Sequence, residues 1–340
     1  MRTDDFSFEL PQELIAQKPL NVRHDSRLMI VDRKNNTISS KRFYQIFDYL
    51  NSEDVMVFNN SKVIPARLFG IKVKTAGTVE ILLLRQIADK KWECMVNPGR
   101  RVNVGNRIMI SDELKAEVID RTKIGTRIIK FETDCDFMQI IHKYGRIPLP
   151  PYIREDINEN DKYQTIYSKI FGSVAAPTAG FHFSKEIFDK LENNGIRKYY
   201  VTLHIGMGTF RPIKSENFNE HKMDCEKYFI DDDTIAMLNA EKNKGRKILA
   251  VGTTSARTLE DSSDVNGILR KNKNDTDLFI YPGYKFKFVE KLLTNFHLPK
   301  STLFLLVSAF AGTEIIKRAY QQAIKEKYRF YSFGDAMLII

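Results

Sequence analysis

Arg67-Leu68-Phe69-Gly70-Ile71-Lys72-Val73 opens the stretch that decides the fold. Five more short runs follow it: Thr78 to Arg85, Lys91 to Val96, Arg107 to Ile110, Lys115 to Ile119 and Arg127 to Glu132. Turns rich in Gly, Asn, Asp and Pro separate the runs, and helical stripes are nearly absent. Short strands at this spacing predict a small all-β barrel or sandwich. Phe137 to Tyr144 reads as a helix leading out. Pro148 and the Pro150-Pro151 pair then forbid helix.

Outward from this stretch, on both sides, helices and strands alternate. Upstream, Leu14-Ile15-Ala16 suggests a short helix, Arg27 to Val31 a strand, and Phe43, Ile46, Phe47 and Leu50 fall at helical spacing. Val55 to Phe58 is a buried strand that ends in Asn59-Asn60-Ser61. Downstream, strands are expected over Lys198 to Ile205, Glu226 to Ile230, Lys247 to Val251, Leu278 to Tyr281 and Phe330 to Ile339. Helices are expected from Ser184 to Gly195, from Asp232 to Lys244, after Gly252, and from Ser301 and Thr313. The fold class is therefore α/β: a discontinuous α/β domain, residues 1–64 plus 146–340, barrel-like or an open sheet with flanking helices. A small β-barrel domain, residues 65–145, is inserted into it.

The chain has 340 residues, enough for two domains, and a net charge of +10. That balance favours a polyanionic partner, nucleic acid first and an anionic membrane surface second. Cys94, Cys135 and Cys225 lie far apart, with no metal spacing and no disulfide framework, so a reducing cytoplasm is the default. Met1-Arg2-Thr3-Asp4-Asp5 lacks the apolar core of a signal peptide, and the most apolar run, Ser301 to Ala311, is too short to span a bilayer.

Gly172-Ser173-Val174-Ala175-Ala176-Pro177-Thr178-Ala179-Gly180-Phe181-His182-Phe183 is neither strand nor helix by pattern. Its small residues let backbone approach a ligand, and Ser184 caps the helix that follows. It reads as a tight loop feeding a helix N-terminus, either a binding loop or a packed turn. Three other polar loops follow strands: Asn59 to Lys62, His204 to Arg211 and Gly252 to Arg257. A fourth, Asn295-Phe296-His297-Leu298-Pro299, precedes a helix. In an open α/β sheet, loops at one end of the strands converge on one crevice. Together they would offer His182, His204, His297, Arg211, Arg257, hydroxyls and amides, a set suited to charged, polar ligands and proton transfer.

Gly252-Thr253-Thr254-Ser255 resembles an anion cradle without being a Walker A loop. Gly206-x-Gly208 lacks the third glycine of a dinucleotide fingerprint, and no nucleophile elbow occurs. His221, Asp224 and Glu226 read as solvated surface ahead of a metal or proton-relay cluster. Aromatic and basic residues interleave in Tyr284 to Phe288 and in Lys327 to Tyr331. That alternation suits a half-buried strand first and an RNA-stacking face second.

The sequence resembles the S-adenosylmethionine:tRNA ribosyltransferase-isomerase family of queuosine biosynthesis. The likeness runs from Asp5-Phe6-Ser7-Phe8-Glu9-Leu10-Pro11 to Tyr328-Arg329-Phe330-Tyr331-Ser332-Phe333-Gly334-Asp335-Ala336-Met337-Leu338. It includes Val57 to Leu68, Ile147 to Ile153, Tyr163 to Tyr167, Gly172 to Phe183, Val201 to Pro212, Ala250 to Arg257 and Thr294 to Leu303. The sequence departs from the family pattern at Met223-Asp224-Cys225-Glu226 and at Met207.

The resemblance implies that the ribosyl part of S-adenosylmethionine is transferred to 7-aminomethyl-7-deazaguanine in the wobble position of precursor tRNA. Isomerisation there gives epoxyqueuosine-tRNA, adenine and methionine. S-adenosylmethionine is thus a consumed cosubstrate, with no other cofactor, no metal, no membrane and a monomeric cytoplasmic enzyme expected. On the matched motifs, His182, His204 and His297 are candidate bases or proton shuttles. Arg211 or Arg257, with Thr253, Thr254 and Ser255, would hold the methionine carboxylate or a hydroxyl. Asn59, Thr178 and His297 would orient adenine or ribose. A non-catalytic RNA-binding protein and a methyltransferase remain the alternative readings.

Overall fold

The computed structural model describes residues 2–154, 163–206, 213 and 215–340. A nine-stranded open sheet carries the fold. From edge to edge its strands are Lys273–Thr276, Glu226–Phe229, Arg197–Leu203, Asp54–Asn59, Lys247–Val251, Lys291–Asn295, Ala336–Ile339, Arg27–Asp32 and Thr37–Arg42. The four strands from Arg197–Leu203 to Lys291–Asn295 run parallel. Ala336–Ile339 runs antiparallel to them, so its N-terminal end lies where theirs finish, Asn295 opposite Ala336.

Alternation along each strand sends side chains to opposite faces. Met29, Val31, Val55, Val57, Ile248 and Ala250 enter one core. Helices Thr302–Ala311 and Thr313–Lys325 cover that face, through residues such as Phe304, Leu306, Ile316 and Tyr320. Leu28, Ile30, Met56, Phe58, Leu249 and Val251 enter the other, under helix Lys185–Asn193 and the tight turn Phe43–Asp48. Helix starts follow their caps: the Ser184 and Ser301 hydroxyls accept from the N–H groups of Ile187 and Phe304.

The inserted β structure is a closed barrel of six antiparallel strands. Around the barrel they are Arg127–Glu132, Lys91–Asn97, Thr78–Ala88, Arg67–Lys72, Arg107–Met109 and Lys115–Arg121. Leu68, Ile81, Cys94, Ile108, Val118 and Ile129 fill its interior. Helix Phe137–Tyr144 packs its apolar face, Phe137, Ile140 and Ile141, onto the same cluster.

Several expected elements are corrected by the structure. No strand forms over Leu278 to Tyr281 or Tyr284 to Phe288; the strand comes later, at Lys291–Asn295. The carboxylate of the buried Glu260 takes the N–H groups of Lys287, Phe288 and Val289, at 2.8, 2.9 and 3.0 Å, in place of a ladder. The last strand is confined to Ala336–Ile339, because Tyr331 sits at φ 70° and turns the chain before it. Phe43–Asp48 and Gln12–Leu14 are 3₁₀ turns, not α-helices. At the start of the small-residue stretch, strand Ile170–Ser173 pairs with Ser61–Val63, and further on Thr178–His182 forms another 3₁₀ turn.

Candidate active site

The ends of the parallel strands define a crevice. Ile205 follows Arg197–Leu203, Gly252 to Thr254 follow Lys247–Val251, and Thr294 to Leu298 close Lys291–Asn295; all of them line it. The Ala176 to Ala179 turn and Tyr331-Ser332, just ahead of the antiparallel strand, supply the remaining walls with Tyr152. Gly180 lets that turn lie close: a Cβ there would stand 1.9 Å from the Tyr167 hydroxyl.

One wall is the N-terminus of helix Thr253–Ser262. Gly252, at φ 90° and ψ 152°, precedes it without a side-chain cap, so the first-turn N–H groups are left for a ligand. Asn59 sets the neighbouring strand ends. Its amide donates to the Leu203 carbonyl at 3.0 Å and to Thr254 Oγ1 at 3.3 Å. Its Oδ1 accepts from the N–H groups of Ser61 and Leu203. Fully buried and so engaged, Asn59 holds the wall and does not line the crevice.

A second network runs inward from the crevice. Thr178 Oγ1 donates to Asn295 Oδ1 at 3.0 Å. The Asn295 amide donates to the Tyr331 carbonyl and to His182 Nε2, both at 3.2 Å. Accepting at Nε2, His182 carries its proton on Nδ1 and donates to Ser26 Oγ at 2.8 Å. Its ring stacks on Phe43. Burial, reinforced by the Arg329 and Arg23 charges, lowers its pKa to about 3. His182 is thus a neutral prop behind Asn295.

His297 stands on the crevice wall itself. Its Nε2 lies 2.9 Å from Thr294 Oγ1, and its N–H donates to the Tyr320 hydroxyl at 2.9 Å. Burial lowers its pKa to about 3, so it too is neutral.

The other named residues are placed differently. His204 lies one position from Ile205, and strand alternation turns its ring away from the crevice and against Gly172, whose Cβ would stand 2.7 Å from His204 Cε1. Burial, then the Lys227 charge, lowers its pKa. Arg257 is buried in an ion pair with Glu226 and donates from Nε to the Leu278 carbonyl at 3.1 Å. Glu226 also accepts from the Gly206 N–H at 3.0 Å. Ser255 donates to the Val251 carbonyl inside its own helix. Arg211, Met207 and Gly208 lie outside the described residues. Of the ten site residues taken from the sequence, the crevice wall therefore gathers Thr178, Thr253, Thr254 and His297, while Asn59 and His182 brace it from behind. Among the described residues, no three His, Cys, Asp or Glu side chains gather to hold a metal.

Sequence reasoning passed over Asn295, Tyr152 and Tyr331. All three sit in strings that carry the family likeness, but only the fold shows them facing one space.

The architecture is that of an α/β protein with its ligand crevice at the carboxyl ends of parallel strands and a closed β-barrel inserted in the chain. The family described as "Queuosine biosynthesis protein" matches residues 3–339, and the chain belongs to that family. Relatives from Acetivibrio thermocellus and Clostridium kluyveri, each named S-adenosylmethionine:tRNA ribosyltransferase-isomerase, are 51% identical over 340 residues, covering 100% of both chains. A crystal structure of S-adenosylmethionine tRNA ribosyltransferase from Thermotoga maritima matches at 37% identity and a TM-score of 0.57. It covers 99% of this chain and 100% of its own.

Proposed function

We propose that this protein is an S-adenosylmethionine:tRNA ribosyltransferase-isomerase. It transfers and isomerises the ribosyl part of S-adenosylmethionine onto 7-aminomethyl-7-deazaguanine at the tRNA wobble position. The products are epoxyqueuosine-tRNA, adenine and methionine. The observation that carries this reading is identity over half of all positions, end to end, with proteins of that name. The crevice fits it, because the strings that carry the family likeness supply its walls.

The reaction needs a proton removed from the carbon beside the sulfonium, help for departing adenine, and a held methionine carboxylate. In this reading the open first turn of helix Thr253–Ser262 takes the carboxylate or a ribosyl hydroxyl, through backbone N–H groups and the helix dipole. His297, neutral and seated on Thr294, contacts the nucleoside as a hydrogen-bonding imidazole. Thr178, held by Asn295, presents its hydroxyl to the same nucleoside. No electrons are exchanged in the overall balance, so S-adenosylmethionine serves as cosubstrate alone. The net charge of +10 suits a tRNA partner. No helix of the described residues is long and apolar enough to cross a membrane.

The test incubates the protein with S-adenosylmethionine and precursor tRNA carrying 7-aminomethyl-7-deazaguanine. Adenine and methionine are expected in equal amounts with modified tRNA. Transfer of labelled methyl to RNA, or tRNA binding without adenine release, would overturn the reading in favour of a methyltransferase or a non-catalytic RNA binder.

A further inference from the structure

Tyr331 combines three features that packing alone does not require. Its backbone lies at φ 70°, a left-handed conformation that side chains other than glycine and asparagine seldom adopt. Three hydrogen bonds impose it. The Tyr331 N–H donates to the Phe296 carbonyl at 3.1 Å. The Tyr331 carbonyl accepts from the Gly334 N–H at 2.9 Å and from the Asn295 amide at 3.2 Å. Such strain persists only where its surroundings over-determine it, and it concentrates at ligand sites.

The side chain carries the second and third features. The ring stacks on Tyr152, with centroids 4.5 Å apart and planes at 23°, and both rings line the crevice. The Tyr331 hydroxyl is buried, yet it has no hydrogen-bond partner among the described residues. Three other phenols are satisfied: Tyr152 pairs with Ser332, Tyr228 donates to Asp261, and Tyr320 accepts from the His297 N–H. Tyr163 and Tyr167 lack a close partner too, but neither lines the crevice, and each lies near another hydroxyl, Ser332 and Thr165 respectively. Among the described residues, only Tyr331 joins an unmet donor, a strained backbone and a place on the wall.

A phenol left unpaired in a buried site costs stability unless a ligand supplies the acceptor. The nucleoside half of S-adenosylmethionine offers ribosyl hydroxyl oxygens and adenine ring nitrogens, all acceptors. We propose that the Tyr331 hydroxyl donates a hydrogen bond to the nucleoside half of bound S-adenosylmethionine, and that the left-handed turn holds it in place. This rests on the function proposed above. The contact makes Tyr331 a binding residue of the crevice alongside His297 and Thr178.

The test is Tyr331→Phe in the full chain, which keeps ring, stacking and backbone and deletes one hydroxyl. Calorimetric titration with S-adenosylmethionine alone is expected to show affinity weakened about 3- to 10-fold, the range for one lost hydrogen bond. The KM for S-adenosylmethionine should rise by the same factor, with the KM for tRNA unchanged. The ligand-free variant should melt about 1–2 °C higher than wild type, because an unmet buried donor has gone. A lower melting temperature would mark the hydroxyl as structural and overturn the proposal. So would unchanged affinity, or failure of the wild type to bind S-adenosylmethionine. A wild type that binds it with the Tyr331 contact, yet releases no adenine with precursor tRNA, would sink the proposed reaction and leave this contact standing.

Discussion

Arg127 in the barrel and Asn295 in the crevice are both buried and both saturated with hydrogen bonds. Arg127, 1% exposed, gives its guanidinium to backbone: Nε to the Val102 carbonyl at 2.7 Å, Nη2 to Gly99 at 2.6 Å, and Nη1 to Gly125 and Thr126. The arrangement ties loops to the barrel wall and ends there. Asn295 gives its amide to Tyr331 and His182 and accepts from Thr178, and two of those three neighbours face the open crevice. Satisfied polar burial therefore serves stability in the barrel and orientation in the crevice. Substitutions should separate the two.

The largest effect is expected from Arg127→Met. It strands the buried Val102 carbonyl, removes the tie to Gly99 and should cost about 3 kcal/mol or more, read by urea denaturation. The folded fraction should bind S-adenosylmethionine as wild type does. Weakened binding at unchanged stability would erase the division between the regions. Asn295→Ala should show the opposite signature. Losing the prop for Thr178 and Tyr331 is expected to lower kcat/KM for adenine release about 100-fold, the scale of a small misplacement of reacting groups. Its stability should fall by only about 1–2 kcal/mol.

Acid sharpens the same contrast. His182 and His297, both near pKa 3 when folded, are neutral in the native protein and take up protons on unfolding. Their folded values lie below the ordinary histidine value, so the unfolded chain binds more protons between about pH 6.5 and pH 3. Stability should therefore fall as pH drops through that window, by about 1.4 kcal/mol per pH unit for each histidine. His297→Gln should remove one such share from a plot of unfolding free energy against pH. An unchanged slope would mean that His297 is charged in the folded crevice.

Sequence pattern exposed the barrel because short alternating runs and turn residues act locally, and the observed strands match the expected runs within three residues, Arg127–Glu132 to the residue. Helix caps were equally local: Ser184 and Ser301 announce helices wherever the chain goes. What escaped was decided by distant partners. Tyr284 to Phe288 alternates like a strand, but Glu260 captures its end through side-chain bonds no local pattern encodes. The crevice was legible as a set of polar loops. Which residue in each loop faces inward depends on strand register, and so Ile205 lines the wall where His204 was the conspicuous choice.

His204 offers the smallest effect and the finest cut. Its Nδ1 is buried without a partner, and its ring fills space over Gly172, on the side of the strand end away from the crevice. An imidazole removing the proton beside the sulfonium would contribute about 100-fold or more to the rate. One that packs beside the crevice contributes little to the chemistry. His204→Ala should therefore keep S-adenosylmethionine affinity and adenine release within about threefold of wild type, the scale of substitutions away from a site. Adenine release and tRNA binding should be measured separately. A hundredfold loss of adenine release with tRNA binding intact would move His204 into the chemistry and require its ring to turn toward the crevice when substrate binds.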